Sequence, residues 1–212
     1  MNRKRVLKKN FIVIGSPGSG KGTLCEVLRE KGYFVIALGQ KLRQEVQEQT
    51  ELGRQIQENI DHGILIADDL AFNLISQALE GMLNAQKPFV IEGFPSTINQ
   101  YQLLVHFLKE RDLLKTITLI YLDCPEETAL ERMINRLTCQ SCSHLYNLSS
   151  KPPRQENRCD LCGKPLFHRK EDTLPCALHR INTFKDQTFP IVELAKEHFP
   201  LLVNPSLRIL NA

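Results

Sequence analysis

The chain has 212 residues, with 24% charged, 42% apolar and 7% aromatic side chains and 7 Cys. That apolar fraction excludes a disordered chain, and the length is enough to bury one α/β core carrying insertions. A net charge of +3 is too small to argue for nucleic acid as a partner, and the runs Phe11–Ile14 and Ile117–Leu122 are far too short to cross a bilayer.

Arg3, Lys4, Arg5, Lys8 and Lys9 precede an apolar run too short for a secretory signal, so they read as a solvated arm and a cytoplasmic location is expected. Phe11–Ile14 predicts a strand buried on both faces. After a glycine-rich turn, Leu24, Val27 and Leu28 predict a helix over Thr23–Lys31 that stops at Gly32. Tyr33–Ala37 is a second strand. From Gln40 to Glu58 only Leu42, Val46, Leu52 and Ile56 are evenly spaced apolar positions, predicting two thin amphipathic helices with little to bury. Helix Ala67–Leu83, strand Pro88–Ile91, a turn at Gly93–Pro95, helix Thr97–Leu108 and strand Ile117–Leu122 follow. Pro125–Leu137 reads as a helix with proline in its first turn, and Pro175–His198 as a helix kinked or broken at Pro190. Leu201–Val203 supplies a last strand. The alternation predicts an α/β fold, a doubly wound parallel five-stranded sheet. Its core comprises residues 1–36, 67–134 and 173–212, with insertions at 37–66 and 135–172.

Gly15-Ser-Pro-Gly-Ser-Gly-Lys21-Gly22-Thr23 joins a predicted strand to a predicted helix. Gly18, Ser19, Gly20 and Gly22 suit backbone N–H groups gathered around phosphate at a helix N-terminus. Lys21 suits the outer phosphates and the Thr23 hydroxyl a bound Mg²⁺. The second insertion carries Cys139-x-x-Cys142, sixteen residues, then Cys159-x-x-Cys162. Two such knuckles complete a tetrahedron around Zn²⁺, and four thiolates leave no open position, so the metal is expected to be structural. Gly163 supplies the tight turn of the second knuckle. His144 and His168 read as surface histidines beside a complete ligand set, and Cys25, Cys124 and Cys176 as small semi-buried residues.

The phosphate-loop string resembles that of adenylate kinases and close nucleoside-monophosphate kinases. Further matches run in order. Gly63-Ile-Leu-Ile-Ala-Asp-Asp69 resembles the family's G-x-L-V-x-D-E, and Glu92-Gly-Phe-Pro-Ser-Thr97 with Gln100 resembles its D-G-F-P-R-T-x-x-Q. Arg132 with Arg136 matches R-x-x-x-R, and Arg169 with Arg180 matches the arginines flanking the lid. The resemblance implies the P-loop fold, with 37–66 as the monophosphate-binding insertion and 135–172 as a zinc lid. It also implies a monomer acting on ATP and AMP with Mg²⁺. It assigns Arg132 and Arg136, four apart on one predicted helical face, to ATP phosphates, and Arg169 and Arg180 to the phosphoryl group in flight and to AMP. Arg43, Ile66, Gly93 and Gln100 are expected at AMP, Gln100 through its amide. Glu92 is expected to hold Mg²⁺ through water, and Tyr146 to pack on the ATP ribose or base unless it is a core aromatic of the lid.

The pattern departs from the family on the acceptor side. Ala37-Leu38-Gly39-Gln40-Lys41-Leu42-Arg43 stands for S-T-G-D-x-L-R, and Ser96 for a phosphate-gripping arginine. Asn204-Pro205 replaces a glycine turn near the ATP base, and the family's last helix is not expected before Ala212. Adenylate kinase activity leads. A monophosphate kinase of different or relaxed acceptor, or a nucleotide binder with vestigial activity, are the alternatives.

Overall fold

The computed structural model describes residues 9–205; the basic residues Arg3, Lys4, Arg5 and Lys8 of the expected arm, and positions 206–212, lie outside the described residues. Strand β1 is Asn10–Gly15 and is buried throughout, as its unbroken apolar run requires. Helix α1 (Lys21–Glu30), β2 (Phe34–Ala37), α2 (Leu38–Gln47), α3 (Glu51–His62) and α4 (Asp68–Asn84) lead to β3 (Phe89–Glu92). Then come α5 (Ile98–Glu110), β4 (Ile117–Leu122), α6 (Glu126–Ile134), and the short strands β5 (Arg136–Cys139), β6 (Leu145–Asn147) and β7 (Leu166–Phe167). The chain returns through α7 (Leu174–Thr183), α8 (Phe189–Ala195) and β8 (Leu201–Val203).

The main sheet has five strands in the order β2-β3-β1-β4-β8 and every pairing is parallel. From β1 the chain runs one way to β2, and from β3 it crosses back over β1 to β4. The crevice beyond the strand ends at β1 and β3 is therefore the topological switch point, where such sheets bind ligands. A second sheet, β6-β5-β7, is antiparallel and carries the cysteine knuckles. Among the described residues no helix is long and apolar enough to cross a membrane.

Two expectations need correction. The helix predicted over Pro125–Leu137 ends at Ile134, because Leu137 and Thr138 pair with Tyr146 and Leu145 and carry the chain into the small sheet. Arg132 and Arg136 therefore do not share a helical face. The two thin helices are α2 and α3, and they bury more than their pattern suggests: Leu38, Leu42 and Ile56 join one core with Ile75 and Phe94. They also cross closely, since a Cβ on Gly53 would lie 2.0 Å from the Glu45 carbonyl oxygen. The interruption expected at Pro190 is present: the helix expected over Pro175–His198 is divided into α7 and α8, and the proline sits in the first turn of α8. A π-helical turn, Phe184–Thr188, precedes it and joins α7 to α8, taking up the ladder that proline cannot continue.

Candidate functional site

The switch-point crevice is a cleft of about 1630 Å³ between the main sheet, the α2–α3 pair and the small sheet. The phosphate loop forms its floor. Gly18 and Gly20 take the left-handed φ values of 82° and 99° that a side chain resists, and a Cβ on Gly18 would also strike the Ala129 carbonyl oxygen at 2.3 Å. Lys21 opens α1 and folds its ammonium back over the loop, donating to Gly15 O at 2.6 Å and Ser16 O at 2.9 Å. Burial lowers its pKa to about 8, against the pull of Glu92, which favours the charged form. Gly22 faces the small sheet so closely that a Cβ there would meet Leu145 at 2.8 Å, and Thr23 is exposed on the first turn. Ser19 differs from its neighbours. Its N–H donates to Ser16 O at 3.0 Å and its hydroxyl is buried without a hydrogen-bond partner among the described residues.

The arginines converge from separate elements. Arg136 starts β5 and donates Nε to Asp172 Oδ2 at 2.8 Å, with its Nη2 on Oδ1 of the same carboxylate. Arg180, on α7, lies 3.5 Å from Asp172 Oδ1, and its stem covers Gly63 at the end of α3. Arg43, on α2, sits beside Gly39 and is 3.4 Å from Glu171 Oε1. Arg169 donates Nε to Thr138 Oγ1 at 2.9 Å. Burial, then repulsion from neighbouring guanidiniums, pulls the pKa of Arg169 well below the usual arginine value and that of Arg180 to about 10. Burial also lowers Arg43, while Glu171 opposes the shift. The buried acids Glu171 and Asp172 are the counter-charges of this group, and sequence reading missed them. Nothing in Arg169-Lys-Glu-Asp172 says which way the carboxylates turn. Arg132 stands apart: it is exposed in the last turn of α6, its Nη1 3.5 Å from Gly18 O.

Glu92 ends β3 half-buried in the cleft wall beside Gly93, whose φ is 74°. Ile66 and Gln100 are buried in the same wall. Leu38, in place of a hydroxyl residue, is buried in the core, and Ser96 turns its hydroxyl to Gly93 O at 3.3 Å. Lys41 is not among the residues that line the cleft. Asn204 holds a φ of 42°, a conformation asparagine tolerates, and its Oδ1 accepts from Asp123 N at 2.9 Å.

In the small sheet the four expected thiols come together, all Sγ atoms within 4.8 Å of one another. Cys139 and Cys162 are 3.4 Å apart, Cys142 and Cys159 3.6 Å, and Cys142 and Cys162 3.7 Å. A tetrahedron with Zn–S of about 2.3 Å has S···S edges of about 3.8 Å, so the cluster is compatible with zinc. Both knuckles turn through a left-handed residue, the expected Gly163 (φ 69°) and, unforeseen, Ser143 (φ 59°). Tyr146 is a core residue of this sheet, 3% exposed. Its hydroxyl donates to Cys159 Sγ at 3.5 Å and accepts from Asp160 N at 2.6 Å. Tyr146 is thus a core aromatic of the lid, and it also borders the cleft.

A glycine-rich phosphate loop at the switch point, overhung by arginines from both insertions, defines a phosphotransferase of the nucleoside-monophosphate kinase class. A family model described as adenylate kinase matches residues 13–199. An adenylate kinase of Clostridium tetani is 35% identical over 91% of this chain and 89% of its own length. Those of Archaeoglobus fulgidus (35%, 87% and 84%) and Thermosipho melanesiensis (33%, 87% and 86%) are similar. The chain belongs to the adenylate kinase family.

Proposed function

We propose that the chain catalyses reversible transfer of the γ-phosphoryl group of ATP to AMP, yielding two ADP. The observation that carries this is the convergence of Lys21 and four arginines (Arg43, Arg136, Arg169 and Arg180) on one cleft, with buried Glu171 and Asp172 as partners. Such a positive set is costly by itself and becomes favourable when two phosphate chains enter it. Phosphoryl transfer asks the protein for little else: positioning, charge neutralisation and exclusion of water.

In this reading Gly18, Gly20 and Gly22 cradle the ATP phosphates and Lys21 binds the outer ones. Arg132 adds a contact from the rim. Arg43 grips the AMP phosphate, whose oxygen attacks the γ-phosphorus in line as the bond to the ADP oxygen breaks. Arg136, Arg169 and Arg180 surround the oxygens of the group in transit, and when products leave Arg136 and Arg180 return to Asp172, Arg43 to Glu171 and Arg169 to Thr138. Gly93, Ile66 and Gln100 form the acceptor base wall. Thr23 and, through water, Glu92 would hold the Mg²⁺ that accompanies ATP, which would supply neutralisation of the phosphate charge. Cys139, Cys142, Cys159 and Cys162 would hold a Zn²⁺ that would keep the lid insertion, 135–172, in shape. The insertion 37–66 binds the monophosphate.

A coupled assay of ADP formation from ATP, Mg²⁺ and a panel of monophosphates tests the reading. Transfer to AMP is expected, and ATP binding without transfer to any acceptor refutes it. Ser96 and Leu38, which remove polar contacts from the acceptor phosphate site, favour a second reading in which acceptors other than AMP are also used.

A further inference from the structure

Asp68, at the start of α4, is half-buried, and three side chains from the next loop and helix converge on it. Its Oδ1 accepts from Thr97 Oγ1 at 3.0 Å and from Gln100 Nε2 at 2.9 Å, and its Oδ2 accepts from Asn99 Nδ2 at 2.9 Å. Thr97 caps α5 by accepting from Gln100 N at 3.1 Å. The other end of the Gln100 amide, Oε1, accepts from Ser96 N at 2.7 Å. An ionised carboxylate can only accept and a backbone N–H can only donate. The amide is therefore pinned with its nitrogen towards Asp68 and its oxygen towards Ser96. Reversing it would oppose donor to donor at one end and acceptor to acceptor at the other.

These bonds use one of the amide's two N–H groups and one of its two lone pairs. What remains is one donor and one acceptor in fixed order, on a residue 1% exposed in the cleft wall. A 6-aminopurine offers an acceptor at N1 beside a donor at N6 and can satisfy both. A 6-oxopurine offers a donor at N1 beside an acceptor at O6 and opposes both, and a base whose phosphate is anchored at Arg43 cannot turn over to repair the mismatch. We infer that Asp68 is a positioning residue that sets acceptor specificity. By fixing the Gln100 amide it selects 6-aminopurine monophosphates over 6-oxopurine ones. The inference rests on the proposed function.

The test compares AMP and IMP as acceptors, with ATP and Mg²⁺, in the full chain and its variants. Asp68→Ala removes the acceptor that orients the amide. It should raise KM for AMP about tenfold, as loss of one well-placed hydrogen bond does, and leave KM for IMP unchanged or lower. The AMP-to-IMP ratio of kcat/KM should narrow by about tenfold, with KM for ATP unaltered. Asp68→Asn loses the charge but keeps a carbonyl oxygen for Thr97 and Gln100, so its ratio should stay within about threefold of the parent. Should Asp68→Ala fail to fold, Asp68→Ser retains an oxygen for the start of α4 while falling short of Gln100, and gives the same readout. An unchanged ratio in Asp68→Ala or Asp68→Ser overturns the inference. So does an Asn variant as unselective as the Ala variant, which would mean the charge or the fold mattered rather than the orientation. A parent protein that uses AMP and IMP equally overturns the inference and leaves the proposed function standing. Transfer to no monophosphate overturns both.

Discussion

Asp172→Ala removes a carboxylate that pairs with both Arg136 and Arg180. The Asp172 side chain is 1% exposed, while those of Arg136 and Arg180 are 15% and 21% exposed. Removing one partner of a buried pair costs about 3–5 kcal/mol, because a desolvated charge is left unmatched. Both guanidiniums border an open cleft and recover some hydration there, so the lower end, about 3 kcal/mol, is expected. For a chain of this size that lowers Tm by about 6–12 °C. The same variant leaves the cleft more positive. Bound ADP therefore supplies the missing counter-charge, and the rise in Tm on adding ADP should be larger than in the parent protein. Activity should still fall about a hundredfold, since Arg136 and Arg180 lose the group that aims them. Thermal melts by circular dichroism with and without ADP, together with kcat, check these expectations. A Tm within about 2 °C of the parent, or an ADP-induced rise no larger than the parent's, refutes the account of Asp172 as a stand-in for phosphate.

Lys21 has a folded pKa lowered by burial to about 8 from an ordinary 10.5. Between those values the unfolded chain binds more protons, so Lys21 contributes a stability that rises from pH 8 to pH 10.5. The ammonium that phosphate needs is lost over the same range. Accordingly kcat/KM for ATP should fall above about pH 8, and the residual activity of Lys21→Ala should lack that limb. Elemental analysis should find close to one zinc per chain. Chelation at neutral pH should melt the small sheet, whose apolar core is only Leu137, Cys139, Tyr146, Cys159 and Leu166, and spare the five-stranded one. Freshly purified protein with four titratable thiols there and no zinc refutes the site. Ser96→Arg should lower KM for AMP about tenfold with KM for ATP unchanged, by adding one charge-assisted contact to the acceptor phosphate. Unchanged AMP kinetics, combined with a strong loss in Lys41→Ala, would show that Lys41 already fills that role.

Much of this protein is local in character and was legible for that reason. Phe11–Ile14 must be buried on both faces wherever it lies, and Gly18 and Gly20 announce a backbone that turns through left-handed conformations. A C-x-x-C pair places two thiols on one turn before any tertiary contact forms, so the metal-compatible cluster could be foreseen too. The boundary at Asn135 could not. Arg136 extends an apparent helical repeat, and only the pairing of Leu137 with Tyr146 across the small sheet gives the strand its advantage. The direction of side chains was likewise undetermined. That the Tyr146 hydroxyl meets the Cys159 thiol and the Asp160 amide could not be read from the sequence. Glu171 and Asp172 look like any charged pair in the sequence, yet contacts spanning 128 and 36 residues make them partners of Arg43 and Arg136. Local chemistry specified which groups this chain carries. Which charges oppose one another depends on distances between segments remote in sequence, and those exist only once the core has packed and brought the insertions over the same sheet edge.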